Sequence, residues 1–453
     1  MGDSLDTIFK AYDVRGIYPD EIDEAVAKRV GNAFVRFTGA STVVVGHDMR
    51  PSSVPLSQAF IEGATMAGAD VVNVGLASTD LVYFAAGTLD APAAMFTASH
   101  NPAQYNGIKL CRAGAAPVGE STGLVQIKEA VASGLLERAE EAGQVREQSM
   151  LEGFAAHVRS FGDASVMRPL KVVADTANGM GGLVVPKVFE GLPFELEILF
   201  GELDGTFPNH PADPIQPENL VALQKAVLDS GADIGLAFDG DADRVFLVDD
   251  RGEPVSGSTT TAIVAKSMLA RTPGGTVVHN LICSKTVPEV IRECGGVPVR
   301  TRVGHSFIKQ VMAETNVIFG GEHSAHYYFR DNWRADSGSI AAIVVLEALS
   351  AAGIPLSELR KPFDRYAASG EINTKVGDPN AVIDAVETHF VGAVQDRLDG
   401  LTVDLGDWWF NLRPSNTEPL LRLNLEAADR ATCDAHTEEV LALIRAESHP
   451  LKS

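Results

Sequence analysis

The sequence predicts an α/β protein with three similar α/β domains of mixed sheets around a central cleft, followed by a smaller α+β domain. The first observation behind this prediction is the alternation of short β-branched runs with amphipathic stretches over three quarters of the chain, which is typical of layered α/β folds. The second is an order of elements that occurs three times. A strand, a helix and two further strands lead each time directly into a polar motif.

The elements of the three repeats follow in turn. The first strands are predicted at residues 42–48, 171–175 and 276–280, the second strands at 70–74, 194–200 and 297–303, and the third strands at 93–96, 233–238 and 317–319. Ligands of α/β sheets bind beyond the carboxyl ends of the strands. The three motifs that follow the third strands are therefore expected to face one shared cleft.

The pattern changes near residues 366–372, where the last domain begins. Beyond this point the periodicity predicts helices at residues 381–398 and 431–446 and strands at 408–412 and 420–425, which is a small α+β domain. The charged, helix-prone segment at residues 135–152 suits the first domain boundary. The predicted domains are residues 1–147, 148–250, 251–367 and 368–453.

Length and composition limit the classes of function. A chain of 453 residues is long enough for about three or four domains. With 37 basic and 60 acidic side chains the net charge is −23, which argues against nucleic acid or an anionic membrane as a main partner. A phosphorylated ligand would therefore need a local basic cleft. The four cysteines form no Cys-x-x-Cys pair and no apolar run has the length of a signal or membrane span, so a cytoplasmic protein with reduced thiols is expected.

The first motif, TASHNP at residues 97–102, places a serine just after a strand. Taken alone, Ser99 is most often part of a turn, because serine and Asn-Pro favour turns. The motif lacks the G-x-S-x-G pattern of a hydrolase nucleophile elbow. A phosphorylated Ser99 would carry nearly two negative charges and could act as a ligand for a cation. Its interpretation therefore depends on the carboxylates of the second motif.

The second motif, DGDADR at residues 239–244, lies at the predicted tip of a hairpin. Asp239, Asp241 and Asp243 alternate, and alternate positions of an extended loop point the same way. Three converging carboxylates need a cation, and an all-oxygen ligand set favours a hard ion, Mg²⁺ before Ca²⁺. An EF-hand is excluded because Arg244 stands where that loop requires glycine. Arg244 can neutralise excess charge or contact a phosphate.

The third motif, GEHSAH at residues 321–326, also alternates polar side chains, here Glu322, Ser324 and His326. A carboxylate such as Glu322 can accept hydrogen bonds from two sugar hydroxyls. These residue types suit recognition of a sugar.

The fourth motif, RPSNTEP at residues 413–419, combines an arginine with neutral donors. Arg413 can bind phosphate oxygens bidentately, and Ser415, Asn416 and Thr417 add hydroxyl and amide groups. The motif lacks the lysine of a Walker loop, so nucleotide binding is not indicated. Alone, the segment could equally be a helix cap or a turn.

The four motifs in this order resemble those of the α-D-phosphohexomutases, and within them the bacterial phosphomannomutase/phosphoglucomutase type. The resemblance runs from FKAYDVRG at residues 9–16 to the C-terminal segment. It implies that Ser99 holds the transferable phosphoryl group and that Arg244 lies near it. It assigns Glu322 and its loop to the third and fourth hydroxyls of the sugar, and the loop at Arg413 to the phosphate that is not transferred. It also implies a fold like the TATA-box-binding protein for the last domain.

Three further positions match functional residues of this family. The resemblance places Arg15 and Lys109 near Ser99, and His305 near the reacting hydroxyl. Lysine or histidine can serve as general acid or base. The sequence leaves the choice between Lys109 and His305 open.

The resemblance implies a reversible conversion of hexose 6-phosphate to hexose 1-phosphate, with mannose and also glucose as the sugar. It implies a phosphoserine enzyme, a hexose 1,6-bisphosphate intermediate that also acts as activator, and Mg²⁺. The expected partner is a phosphorylated hexose, without nucleic acid or membrane, and the expected assembly is a monomer or weak homodimer. The alternatives are a phosphohexosamine mutase, whose sugar loop more often reads GEQSGH, and a non-catalytic sugar-phosphate-binding protein.

Overall fold

A computed structural model describes residues 2–414 and 420–447, and four β-sheets divide them into four units. The first unit has a mixed sheet of seven strands. Its strands are β1 (Val14–Ile17), β2 (Thr42–His47), β3 (Asp70–Leu76), β4 (Ala93–Phe96), β5 (Tyr105–Arg112), β6 (Ala116–Pro117) and β7 (Val145–Glu147). Its helices are α1 (Gly2–Ile8), α2 (Glu24–Thr38), α3 (Ser53–Met66), α4 (Thr79–Thr88) and α5 (Leu124–Ala132).

The second and third units have sheets of five and four strands. The second contains α6 (Leu151–Arg159), β8 (Leu170–Asp175), α7 (Gly181–Phe189), β9 (Phe194–Leu199), α8 (Val221–Ser230), β10 (Ile234–Phe238), β11 (Val245–Asp249) and β12 (Pro254–Val255). The third contains α9 (Gly257–Arg271), β13 (Thr276–Asn280), α10 (Thr286–Glu293), β14 (Val297–Thr301), α11 (His305–Thr315), β15 (Phe319–Gly321), β16 (Tyr327–Phe329), α12 (Gly338–Ala352) and α13 (Leu356–Leu359).

The fourth unit is an antiparallel sheet of five strands in the order β17-β21-β20-β19-β18. Its elements are β17 (Ala367–Lys375), α14 (Pro379–His389), β18 (Val394–Asp396), β19 (Leu401–Asp404), β20 (Trp408–Pro414), β21 (Leu420–Ala427) and α15 (Arg430–Glu447). A separate apolar cluster between the sheet and the two helices holds this unit together. The α+β character predicted for the end of the chain is confirmed.

The first three units share one strand arrangement, which confirms the threefold order predicted from the sequence. The shared order is β3-β2-β4-β5 in the first, β9-β8-β10-β11 in the second and β14-β13-β15-β16 in the third. In each unit the first two pairings are parallel and the last is antiparallel. In each unit the connection into the antiparallel strand carries one motif, TASHNP in the first, DGDADR in the second and GEHSAH in the third. The three motifs therefore lie at equivalent positions of their sheets.

Local sequence signals explain where several helices begin and end. Helix α2 begins after Asp23, whose carboxylate accepts a hydrogen bond from the backbone N–H of Val26, and ends at Gly39 with a φ of 63°. Serine side chains cap α4, α9 and α12 in the same way as Asp23 caps α2. Such caps satisfy N–H groups that a helix start leaves without a partner.

One prediction about element boundaries is wrong. The helix predicted at residues 381–398 ends at His389, and β18 pairs with β19 in its place. The helix-prone segment at residues 135–152 holds no helix before Leu151, and β7 instead adds to the sheet edge beside β3. Charged residues with good helix propensity lack an apolar face to pack, and such helices are marginal.

The first three units share a continuous apolar core, whereas the fourth contacts the third through polar groups. The shared core includes Phe84 of α4, Phe238 of β10 and Ile343 of α12. Between the third and fourth units, Lys285 Nζ lies 2.8 Å from Asp404 Oδ1. The Nη1 of Arg300 lies 2.7 Å from Asp396 Oδ2.

The helices of the described residues differ from membrane spans in length or composition, apart from one bent pair. Within residues 2–414 and 420–447, no single helix is long and apolar enough to cross a membrane. One bent pair, Gly338–Ala352 followed by Leu356–Phe363, passes on length and composition alone.

A buried carboxyl group links the first and third units. Asp80 at the start of α4 accepts hydrogen bonds from the hydroxyls of Ser78 and Ser337, the latter at 2.6 Å. Burial raises the pKa of Asp80 to about 7. An unfolded aspartate has a pKa of about 3.9, so the folded state binds the extra proton between these two pH values. The contribution of Asp80 to stability therefore falls as the pH rises from about 4 to about 7.

We expect Asp80→Asn to stabilise the protein more at pH 8 than at pH 5. An amide keeps acceptor and donor capacity but does not ionise, so the difference between variant and wild type should grow by on the order of 2 kcal/mol over this interval. Chemical denaturation at the two pH values measures the difference. Asp229→Asn, at an exposed position on α8, is the control. An unchanged difference would show that Asp80 does not titrate in this range.

Candidate active site

Ser99 lies in the connection after β4 with its hydroxyl directed at the second motif. Its Oγ donates a hydrogen bond to Asp239 Oδ2 at 2.7 Å, and its backbone N–H donates to Thr97 Oγ1 at 2.9 Å. The residue adopts a φ of 50°, a left-handed conformation that costs a non-glycine residue energy. A side chain at Gly240 would meet the Ser99 carbonyl oxygen at 2.4 Å. The glycine in DGDADR therefore permits the close approach of the two loops.

The three aspartates of DGDADR form a buried cluster. One carboxylate oxygen from each of Asp239, Asp241 and Asp243 lies within 4.8 Å of the others. The cause differs from the extended loop expected from the sequence. Ala242 has a φ of 58°, and its N–H donates to the Asp239 carbonyl at 3.1 Å, so a turn and not an extended strand brings the side chains together.

Two cations lie against this cluster. Lys109 Nζ on β5 is 2.7 Å from Asp241 Oδ2 and 2.7 Å from Asp243 Oδ2. The Nε of Arg244 donates to Asp239 Oδ2 at 2.9 Å. Burial lowers the pKa of Lys109, but the two carboxylates outweigh it and hold the pKa well above its usual range. Lys109 is therefore held as an ammonium group, and its fixed positive charge can stabilise negative charge beside Asp241 and Asp243.

The carboxylates differ in their protonation behaviour. Burial raises the pKa of Asp239 well above its usual range, although Arg244 opposes the shift. Burial also acts on Asp241, but there Lys109 and the Thr79 hydroxyl outweigh it and hold the pKa below its usual range. The ion pairs thus leave Asp241 ionised, while Asp239 beside Ser99 is the carboxyl that holds a proton most readily.

The cluster fits a divalent cation. The Oδ1 atoms of Asp241 and Asp243 are buried and have no hydrogen-bond partner among the described residues, so each leaves an oxygen for a metal ion. With all three carboxylates ionised, as they would be around a metal ion, their charge against the two cationic side chains sums to one negative charge. A dication would reverse that charge, and a phosphorylated serine, at nearly two negative charges, would bring it back to about one negative.

Thr79 is a neighbour of this cluster that the sequence analysis missed. Its Oγ1 donates to Asp241 Oδ2 at 2.6 Å, and its N–H donates to the Asp241 carbonyl at 3.0 Å. It lies at the start of α4, just past the carboxyl end of β3. Its position beyond a parallel strand is the one signal in the sequence that points to it.

Glu322 of the third motif is buried and already hydrogen-bonded. Its Oε1 accepts from Asn280 Nδ2 and from the Gly304 N–H, both at 3.2 Å, and its Oε2 accepts from the Tyr328 hydroxyl at 2.7 Å. A carboxylate offers about four acceptor positions. These three donors therefore fix the orientation of the Glu322 carboxylate.

His326 joins the third motif to the second. Its Nε2 lies 4.0 Å from Asp243 Oδ1 and its Nδ1 lies 3.6 Å from Glu322 Oε2. The Ser324 hydroxyl is 3.0 Å from His326 Nδ1, and the backbones of His326 and Arg244 form a bridge. The sugar motif and the carboxylate cluster are therefore neighbours.

The remaining predicted residues lie in different settings. Arg15 Nη1 donates to Asn101 Oδ1 at 2.6 Å, so it contacts the loop of Ser99. Arg413 Nη2 is 2.8 Å from Glu371 Oε2, a pairing that the sequence did not predict. His305 is the first residue of α11, and its role stays a prediction. Ser415, Asn416 and Thr417 lie outside the described residues.

The shared strand order and the site define a class of protein. Three α/β units of one strand order bring a serine, a carboxylate cluster and the GEHSAH motif together. Models of the α/β/α domains I, II and III of phosphoglucomutase/phosphomannomutase match residues 6–137, 151–252 and 256–366. A model of the C-terminal domain matches residues 371–443. The chain belongs to the phosphoglucomutase/phosphomannomutase family.

Relatives agree with this assignment over nearly their whole length. The chain is 41% identical to phosphohexose mutases of Xanthomonas campestris pv. campestris over 442 residues, covering 96% of this chain and 99% of the relative. It is 38% identical to a phosphomannomutase of Escherichia coli strain K12 over 450 residues, covering 97% and 99%. A crystal structure of a family protein from Burkholderia thailandensis superposes with a TM-score of 0.89 at 31% identity, covering 97% of each chain.

Proposed function

We propose that the protein interconverts hexose 6-phosphate and hexose 1-phosphate, with mannose and also glucose as the sugar. The observation that carries the proposal is the 2.7 Å hydrogen bond from the Ser99 hydroxyl to Asp239, within a carboxylate cluster matched by Lys109 and Arg244. A serine in this setting can exchange a phosphoryl group with a sugar hydroxyl. The mannomutase and hexose mutase names of the relatives support the choice of sugar.

In this proposal phosphorylated Ser99 gives its phosphoryl group to the free hydroxyl of the substrate, which forms a hexose 1,6-bisphosphate. The bisphosphate turns over in the cleft, and its other phosphate returns to Ser99. Atoms balance, because each transfer forms one P–O bond and breaks another. Added bisphosphate would act as an activator because it phosphorylates any enzyme that has lost its phosphate.

The side chains around Ser99 have separable roles in this reaction. Arg244 and Lys109 are cations within hydrogen-bond distance of the cluster, so they stabilise negative charge on the moving phosphoryl group. Lys109 and His305 are the two candidates for acid–base work, and the raised pKa of Lys109 favours its role as a fixed positive charge. Asp239, Asp241 and Asp243 would hold Mg²⁺, which when bound would supply Lewis-acid stabilisation of the transferring group.

Substrate assays test the proposed function directly. Purified protein with a catalytic amount of hexose 1,6-bisphosphate should convert mannose 1-phosphate and glucose 1-phosphate to the 6-phosphates, and glucosamine 1-phosphate more slowly. Phosphorus NMR follows each substrate and product. Faster conversion of glucosamine phosphate would favour a phosphohexosamine mutase, and no conversion of any of the three would contradict the proposal.

Separately, we propose the domain boundaries given above, a cytoplasmic location and a monomer or weak homodimer.

Glu322→Gln is expected to lower catalytic efficiency similarly for both sugars. Mannose and glucose differ at the second hydroxyl, while the third and fourth hydroxyls, which we assign to Glu322, are the same in both. Loss of the charge weakens hydrogen bonds worth about 1.5–3 kcal/mol each, so kcat/KM should fall by about 10- to 100-fold. Glu314→Gln on α11, whose side chain is exposed, is the control. A loss confined to mannose 1-phosphate would contradict this placement of Glu322.

A further inference from the structure

Arg50 holds the loop that carries Ser99 from behind. It follows β2 and is only 1% exposed. Its guanidinium lies beneath the loop of residues 97–105, on the side away from solvent. All five of its guanidinium N–H groups have an acceptor. The acceptors are Asp48 Oδ2 at 3.2 Å and the carbonyl oxygens of Pro102 at 2.8 Å, Tyr105 at 3.0 Å, Ser99 at 2.8 Å and Asn101 at 2.7 Å.

The position of Arg50 is itself fixed from two sides. Asp48 accepts a hydrogen bond from the backbone N–H of Arg50 at 3.0 Å and from the Ser53 hydroxyl at 2.5 Å. On the other side, the Phe207 ring of the second unit lies 5.0 Å from the Arg50 Cζ. A side chain at Gly205 would meet the Arg50 Cα at 2.5 Å. The guanidinium is therefore held between the first and second units, the two units whose loops meet at Ser99 and Asp239.

We propose that Arg50 is a positioning residue for phosphoryl transfer, acting through the backbone of Ser99. This inference rests on the proposed function. Four carbonyl groups turned toward Arg50 fix the left-handed backbone of Ser99 (φ 50°), and with it the direction of the hydroxyl toward Asp239. Phosphorylation of Ser99 changes the charge beside the buried cluster, and Arg50 resists displacement of this loop when that charge changes. The serine returns to the same place in every catalytic cycle because its backbone does not depend on its phosphorylation state.

Arg50→Lys tests the proposal because lysine keeps the charge and loses the planar five-donor geometry. We expect kcat to fall about 30- to 100-fold, since misplacement of a reacting group by about 1 Å has effects of this size. KM for hexose 1-phosphate and the Mg²⁺ affinity of the dephosphorylated enzyme should stay within about threefold, because Arg50 makes no hydrogen bond to the carboxylate cluster. Single-turnover transfer from phosphorylated enzyme to hexose 6-phosphate, followed by intact mass, should slow by the same factor as kcat.

Arg271→Lys is the matched control. Arg271 also donates to a backbone carbonyl, that of Phe161, and to a carboxylate, that of Glu347, but it lies at the opposite end of α9 from Gly257, which packs on the sugar motif. This variant should lose some thermal stability and keep kcat within about twofold. Assays run well below the melting temperature of each variant separate stability from turnover.

A kcat of Arg50→Lys within about threefold of wild type would overturn the proposal, and so would a parallel fall in kcat and Mg²⁺ affinity. If Arg50→Lys does not fold, Asp48→Asn is the second test, because it weakens the hydrogen bonds that fix the Arg50 guanidinium. We expect kcat of Asp48→Asn to fall by about 3- to 10-fold with KM unchanged. An unchanged kcat in this variant would overturn the proposal. The wild type is assayed first. No mutase turnover in the wild type contradicts the proposed function and this inference with it, whereas full turnover in both wild type and Arg50→Lys contradicts only the role of Arg50.

Discussion

Ser99→Ala is expected to lower mutase turnover by at least about 10³-fold, because it removes the atom that accepts and returns the phosphoryl group. The fold should persist, since among residues 2–414 and 420–447 the hydroxyl bonds only to Asp239 at 2.7 Å and His100 at 3.3 Å. Circular dichroism and melting temperature check the fold, and intact mass checks that a phosphate adduct of the wild type is missing in the variant.

Ser133→Ala is the control for this experiment. Ser133 is exposed at the end of α5, and its hydroxyl donates to the Ala130 carbonyl and accepts from the Leu135 N–H. Neither partner belongs to the Ser99 loop or the carboxylate cluster, so turnover and phosphate content should match the wild type. Turnover of Ser99→Ala above about a tenth of the wild-type value would rule out a phosphoserine intermediate at this position.

Removal of divalent metal is expected to reduce turnover at least about 100-fold. Lys109 and Arg244 offset part of the charge of the three buried carboxylates, but two carboxylate oxygens still have no hydrogen-bond partner among the described residues and are left for a metal ion. Activity is measured after chelator treatment and dialysis, and again after Mg²⁺ or Ca²⁺ is added. Mg²⁺ should restore more activity than Ca²⁺, because the larger ion takes a looser coordination.

Asp241→Asn adds a direct test of the ligand set. The loss of one charge should weaken Mg²⁺ binding, measured by calorimetry, while Asp163→Asn at an exposed turn should leave it unchanged. A protein that contains no metal after chelation and keeps full activity would contradict the metal role of DGDADR.

Much of the fold follows from local patterns that the sequence carries. Each buried parallel strand is a short apolar run, and the three runs before the motifs give the threefold order, so the meeting of Ser99, Asp239 and Glu322 beyond strand ends could be predicted. The boundaries of α14 could not. Apolar residues at helical spacing continue past His389, but pairing of β18 with β19 satisfies the backbone there instead.

The contacts that organise the site join residues that are far apart in the chain, so local sequence patterns do not predict them. Thr79 reaches Asp241 across 162 positions of the chain, and Arg50 reaches Ser99 across 49. The sequence predicts Arg413 as a phosphate ligand, but its pairing with Glu371 depends on the registers of β17 and β20 with the strand between them, β21. Periodicity reports which face of an element is buried, but not which partner is opposite.

The shared apolar core of the first three units has a consequence for how the chain unfolds and is cut. Because side chains from all three units pack in one cluster, the loss of any one of them exposes apolar surface on the other two, so the three behave as a single cooperative body. The fourth unit has its own core and is attached by ion pairs, whose exposed members contribute little each. The connection before β17 is therefore the weakest link between the units. We expect limited proteolysis to cut there first, and high salt to weaken the attachment of the fourth unit first.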